Sequence, residues 1–260
     1  MCDETRIRAR VAWPVGLMLL LLACGGGRSK PAEERSKDLD VSDQIRLSQS
    51  YVNAGRYTDA IEILEKATKQ EPENAGLRNY FGQVLFLAGR DDVAQIELEK
   101  ALEIDPYLTD AYNNLGIVYH RTGRKDEAEA AFVKALADRG YATPEKVHLN
   151  LGLLYGGQGR DEEAVASLRR AVEINPKYYQ AHYELASLLD RLGELEEAAN
   201  EYEVASPAYR NNGEYRYRLG FAYFKLGDLE RARAELEQVR DIAPGSTHAV
   251  KAADILKMIQ

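Results

Sequence analysis

Cysteine occurs twice in this chain, tryptophan once and histidine four times. Neither cysteine lies beyond residue 24, so no disulfide framework holds the body together and its stability has to come from packing. The histidines (His120, His148, His182, His248) have no cysteine or carboxylate at ligand spacing, which argues against a zinc-type site and leaves no metal assigned. No glycine-rich phosphate loop and no nucleophile motif is present, so no catalytic residue is assigned and the chain does not read as an enzyme. With 34 Lys and Arg against 42 Asp and Glu there is no basic excess or stripe, which argues against nucleic acid as a partner. Long apolar runs are missing too: the longest, Val11–Ala23, is too short to span a bilayer as a mature helix.

What is abundant is repetition. Gly55, Gly89, Gly123, Gly159, Gly193 and Gly227 are spaced by 34, 34, 36, 34 and 34 residues. Each lies between apolar stretches of period near 3.6, where a helical hairpin needs one residue in the left-handed region. Seven positions before these turns, from the second onward, stand Gly82, Gly116, Gly152, Ala186 and Gly220; five positions after stand Ala60, Ala94, Ala128, Ala164, Ala198 and Ala232. Small residues on facing helices allow close approach. Pro72, Pro106, Pro176 and Pro244 close the second helix of their units, because proline cannot continue one.

With these residues in place the chain resembles the tetratricopeptide repeat over roughly 200 residues. The resemblance implies an all-α, right-handed superhelical solenoid of six tetratricopeptide repeats at 41–74, 75–108, 109–144, 145–178, 179–212 and 213–246. A capping helix is expected at 247–260, its apolar side Ala249, Ala252, Ala253, Leu256 and Ile259. Two units depart from the pattern. The third carries two extra residues within Ala137–Pro144. The fifth has Arg210 where the closing proline would stand and Pro207 earlier, so its second helix is expected to end near Ser206.

Residues 1–23 read as an address. Arg6, Arg8 and Arg10 precede the short apolar run, which ends Leu21-Leu22-Ala23-Cys24. This resembles the bacterial lipoprotein box. The resemblance implies cleavage after Ala23 and a covalent lipid on Cys24, the sole prosthetic addition expected, with no other cofactor. Gly25 in the next position, where Asp would direct retention, implies the outer membrane, periplasmic face. Cleavage removes three Arg with Asp3 and Glu4, taking the net charge from -8 to -9. Residues 24–40, polar and Gly-rich, form the expected tether between lipid and solenoid.

In tetratricopeptide arrays the first helix of each repeat lines the concave face. The inward positions here are Ile45, Gln49 and Val52; Asn79, Gln83, Phe86 and Leu87; Asn113, Ile117 and His120; Leu149 and Leu153, then Gly156 and Gly157; Tyr183, Ser187 and Asp190; Tyr217, Phe221 and Phe224. The apolar patches around Val52, Phe86 and Leu87 and around Tyr217, Phe221 and Phe224 are candidate partner contacts. Packing against the neighbouring helix as core is the other role open to the same side chains. The cationic clamp for a C-terminal carboxylate is missing, since Ile45, Gln49, Tyr80, Asp110 and Asn114 fill its slots. A partner helix or strand in an apolar groove is therefore expected. No small-molecule substrate is expected.

The run Phe132–Gly152, with Ala135-Leu136-Ala137-Asp138 and then Tyr141-Ala142-Thr143-Pro144, is similar to the third-to-fourth repeat junction of the PilF/PilW/Tgl family of type IV pilus lipoproteins. The likeness covers the chain beyond Cys24 and implies a pilotin. Such a protein is held in the membrane by its lipid anchor, binds subunits of the pilus secretin and promotes their assembly for twitching motility. The alternative is a general periplasmic scaffold lipoprotein for envelope assembly without a pilus link.

Overall fold

A computed structural model of the chain describes residues 39–259; the apolar leader, Cys24 and all but the end of the tether lie outside them. The described residues form thirteen α-helices and no strand. They are α1 Val41–Asn53, α2 Tyr57–Gln70, α3 Ala75–Leu87, α4 Asp91–Ile104, α5 Thr109–Arg121, α6 Lys125–Ala137 and α7 Pro144–Gly156. Then follow α8 Asp161–Ile174, α9 Tyr179–Leu192, α10 Leu195–Tyr209, α11 Gly213–Lys225, α12 Leu229–Ile242 and α13 Thr247–Met258. Each helix packs on the next, pair after pair, which makes a solenoid.

The turn inside each pair is set by its glycine. All six repeating glycines have positive φ, between 71° and 88°, and an added Cβ would meet nothing within 4 Å, so backbone conformation and not space requires glycine there. The first turn shows the geometry: Arg56 N–H donates to the Tyr51 carbonyl and Gly55 N–H to that of Val52, closing the helix with both bonds of a Schellman cap. In three repeats the residue after the glycine is an Arg laid over the tyrosine that its backbone caps. These are Arg56 on Tyr51 at 4.5 Å, Arg124 on Tyr119 at 4.3 Å and Arg160 on Tyr155 at 4.1 Å. A contact usually made by two apolar groups is here made by a cation and a ring.

Within each pair the close approach is made by the small residue of the first helix. A Cβ on Gly82, Gly116, Gly152 or Gly220 would fall 2.5–2.8 Å from the side chain sixteen residues on: Leu98, Phe132, Leu168 and Leu236. Those four bulky residues are buried in the space the glycines leave. Ala186 and the fully buried Tyr202 hold the same two places in the fifth pair.

A second recurring slot ties each pair to the loop before it. Arg78, Tyr112, His182 and Arg216 occupy equivalent places on first helices, and each side chain donates to the backbone carbonyl six residues earlier: Pro72, Pro106, Pro176 and Arg210. Three of the four also face a glutamate of the second helix, in Arg78–Glu97 at 2.7 Å, His182–Glu201 and Arg216–Glu235. The placement of His182 is thereby explained as a structural pairing slot. Among the described residues no group of three or more His, Cys, Asp or Glu is placed to hold a metal ion.

Two local expectations are corrected. Helix α10 does not end near Ser206; it runs through Pro207 to Tyr209. Its last turn is held by packing, because the Tyr209 ring stacks on Tyr183 at 4.8 Å and on Tyr215 at 6.0 Å. Pro144 opens α7 at its first turn, where a missing N–H costs nothing. In α13, Ile255 turns inward with Ala249, Ala252 and Ile259, whereas Ala253 is exposed. No helix of the described residues is long and apolar enough to cross a membrane.

The close approach makes a direct prediction. Gly116→Ala places a methyl 2.6 Å from the buried Phe132 ring, and should cost about 1–3 kcal/mol in urea unfolding. An unchanged midpoint would show that the ring has room to move.

Candidate partner-binding groove

First helices of successive repeats touch one another directly, α3 on α5, α5 on α7 and α7 on α9, while second helices pack on the first helices of their own and the next repeat. The side formed by first helices is therefore the tighter, inner face. Three clefts open on it.

The first cleft is apolar and brings together Phe86, Leu87, Leu98 and Ile117 with Gln83 and Asn114. Leu87 is 45% exposed. Phe86 is half-buried against the first core cluster and its other side is covered by the Arg121 guanidinium, 3.3 Å from the ring centre. Arg121 in turn pairs with Asp91 and donates to the Phe86 carbonyl.

The second cleft adjoins the first and is polar. It gathers Asn79, Gln83, Asp110, Asn113, Asn114 and Asn150, with Tyr141, Thr143, Lys146 and Tyr178 along the other side. Asn114 donates to Asn79 Oδ1 and Asn150 to Asn113 Oδ1, both at 2.9 Å. The two-residue extension of the third repeat forms one wall. Asp138 accepts from Thr109 and from the Gly140 N–H, and the Tyr141 hydroxyl donates to Asp110 at 2.8 Å. Burial, foremost, and the Asp110 carboxylate push the Tyr141 hydroxyl up to about 12, so it remains a donor at neutral pH.

The third cleft lies between α7 and α9, where Gly156 and Gly157 face Glu184, Ser187, Asp190 and Arg218. A Cβ on Gly156 would meet the Ala164 methyl at 3.9 Å, an ordinary van der Waals contact, so space does not require glycine there. Burial raises the Glu184 carboxyl above its ordinary range.

The residues expected to line the groove separate into groups. Gln83, Phe86, Leu87 and Ile117 share the first cleft; Asn79, Gln83, Asn113 and Ile117 share the second; Leu153 lines the third. Ile45 and Val52 are half-buried against the first core cluster and Gln49 is exposed; none of the three lines these clefts. Leu149 is 3% exposed and belongs to the core, a correction, because its turn of α7 is covered by neighbouring helices. Tyr183 is stacked in the tyrosine cluster with Tyr202 and Tyr209. Tyr217, Phe221 and Phe224 pack against the cluster that α13 completes with Ala249, Ala252 and Ile255, so the second apolar patch is largely the seat of the capping helix. Asn150, Tyr141 and Lys146 were not read as groove residues from the sequence, and Asn114 entered only as the occupant of a slot of the missing clamp; the Asn113-Asn114 doublet was the available signal.

Family profiles described as tetratricopeptide repeat match residues 45–108, 97–130, 157–217 and 213–246. The crystal structure of PilW, a widely conserved type IV pilus biogenesis factor, matches at 26% identity and TM-score 0.73, covering 82% of this chain and 98% of that one. PilF of Pseudomonas aeruginosa matches at 22% identity and TM-score 0.73, covering 86% and 99%, which speaks for the fold alone. YrrB, a tetratricopeptide-repeat protein with an unusual peptide-binding site, matches at 26% identity and TM-score 0.58, covering 74% and 97%. No curated protein matches in sequence. In all, 404 chains of solved structures match, so the shape by itself selects no partner.

The two apolar patches should respond differently to charge. Leu87→Arg is expected to leave the melting temperature within a few degrees, as exposed substitutions do. Phe221→Arg should release α13, seen as faster tryptic cleavage at Lys251 and Lys257 and as roughly 2–4 kcal/mol of lost stability. Equal proteolysis of the two variants would contradict the seat assigned to the cap.

Proposed function

Because the chain is a tetratricopeptide-repeat protein whose inner face carries open clefts, we propose that it is an outer-membrane pilotin, which binds secretin subunits and promotes their assembly for type IV pilus biogenesis. The observation that carries this reading is the likeness to PilW, which spans 98% of that chain. The third-to-fourth repeat junction supports it, since its sequence resembles that of the pilus lipoproteins, and here it builds a wall of the polar cleft.

The mechanism is colocalisation. Cys24, acylated, anchors the protein at the periplasmic face of the outer membrane. Several acyl chains hold where one would be marginal. The stretch from Cys24 to the first helix lets the solenoid reach subunits near the bilayer. A subunit held in the groove is then present at the membrane at high effective concentration, and assembly is favoured without new contacts between subunits. No group transfer takes place; the repeats serve as a surface.

The test is an immunoblot of membranes from a deletion strain, with the secretin only partly denatured. The multimer should disappear while monomer persists, and a Cys24→Ala strain should lose multimer from the outer membrane. A normal amount of multimer without the protein would transfer the reading to a general periplasmic scaffold.

A further inference from the structure

The seam between one repeat's second helix and the next repeat's hairpin is filled in the same way at three junctions. A tyrosine in the last turn of a first helix carries an arginine on its ring, and its hydroxyl donates to a glutamate of the second helix before it. Tyr119 with Arg124 donates to Glu99, Tyr155 with Arg160 to Glu129, and Tyr223 with Arg231 to Glu203. Arg160 and Arg231 also pair with those glutamates, and Arg124 reaches Gln95 on the helix of Glu99.

The junction of the fourth and fifth repeats departs at each of these places. Leu189 stands where the tyrosine would, Glu194 where Arg124 and Arg160 do, and Glu197 where Arg231 does. On α8, Val165 takes the place of Glu129, and Arg169 that of Glu99 and Glu203. Arg169 turns to Glu197 instead, meeting both of its oxygens at 2.8 Å. A cleft of about 530 Å³ is left, floored by Val165, Leu189 and Leu192 and sharing no residue with the three inner clefts. Leu192 is 43% exposed. A leucine in the tyrosine's place does not by itself leave such a floor half-exposed. Leu85 holds that place in the second repeat, and there Ile61, the counterpart of Val165, is buried with it in one core cluster, whereas the shorter Val165 is half-buried. The rim is acidic. Asp161 is engaged by Arg191 and Glu197 by Arg169, but Glu162 and Glu194, both exposed, pair with no described residue. Glu194 stands at the start of α10 without a side-chain capping bond to it.

We propose that this seam is a second docking surface, and that it takes a partner-protein segment presenting an aromatic ring with an arginine or lysine beside it. The chain itself carries three copies of the pair that fits such a seam. Here the ring and the cation have to come from outside: the ring covers Val165, Leu189 and Leu192, and the cation meets Glu162 and Glu194. A second copy of this chain is a poor match. Its most exposed large apolar side chain, Tyr107 at 89%, stands between Asp105 and Asp110 and would bring acid to acid. Residues 25–38 offer Arg28, Lys30, Arg35 and Lys37 but no ring.

The test selects 12-residue peptides from a random displayed library on the full chain, with counter-selection on the chain carrying Glu162→Arg and Glu194→Arg, both at exposed positions. Synthetic copies are measured by fluorescence anisotropy. The peptides kept by the unaltered chain alone should carry an aromatic residue with a basic one near it, and should lose at least tenfold in affinity when either is replaced by alanine. A chain with Leu189→Tyr and Glu194→Arg, of unchanged circular dichroism, supplies the pair from within and should release the same peptides. Peptides that need no ring or no cation would overturn the proposal, as would a selection in which every peptide binds the unaltered and the charge-reversed chain equally. Self-association of the unaltered chain that charge reversal abolishes would give the seam to a second copy. Peptide binding that appears only once residues 25–38 are deleted would give it to that segment. Either of these results also overturns the proposal.

Discussion

A residue without a side chain, placed opposite a bulky one sixteen positions later, is the constraint on which this molecule depends. Gly82, Gly116, Gly152 and Gly220 let two helices approach until Leu98, Phe132, Leu168 and Leu236 fill the groove between them. Paired helices at that distance share one apolar seam, and no single pair can bury its outer side. The next pair has to do so, which is why the four core clusters pass from repeat to repeat and why the last repeat needs α13. The aromatics Tyr217, Phe221 and Phe224 follow from that need: they are the seam the seventh pair would have covered.

Polar groups repeat as regularly as the apolar ones. The slot of Arg78, His182 and Arg216 binds a glutamate on one side and a loop carbonyl on the other, so one side chain orients both its partner helix and the connection before it. The arginines after the left-handed glycines close the opposite end of the pair. Negative charge gathers on second helices: α4 and α10 each carry a net -4. The three first helices of the polar cleft are almost neutral. Sorting charge in this way leaves the inner face suited to ligands recognised by hydrogen bonding and apolar contact, and the outer face well solvated.

Much of this was legible in the residues. Period, glycine turns, small-residue positions and helix order all follow from local chemistry repeated at a fixed interval. The site was less so. Inward positions were read from one helix at a time, and that procedure could not tell that Leu149 is enclosed by neighbours or that α13 claims the aromatic patch. It also passed over Asn150 and gave Asn114 no role beyond a slot of the missing clamp, because a position just beside the inward one becomes part of the surface when two helices meet at an angle. The end of α10 was misplaced for a similar reason: Pro207 weakens a helix, but Tyr209 stacked between Tyr183 and Tyr215 holds the last turn.

The sequence by itself determined the class of fold, the number of units and the turn geometry, since each rests on contacts between residues fewer than about forty apart. It pointed to Asn79, Gln83, Phe86, Leu87 and Ile117 as inward-facing but not to how they group into clefts. That was decided by how first helices of different repeats meet, which brings Asn79, Asn113, Asn114 and Asn150 into two hydrogen-bonded pairs and sets Tyr141 beside them. Side-chain amides carry no periodic signature of their own; they line a cleft when tertiary packing aligns them.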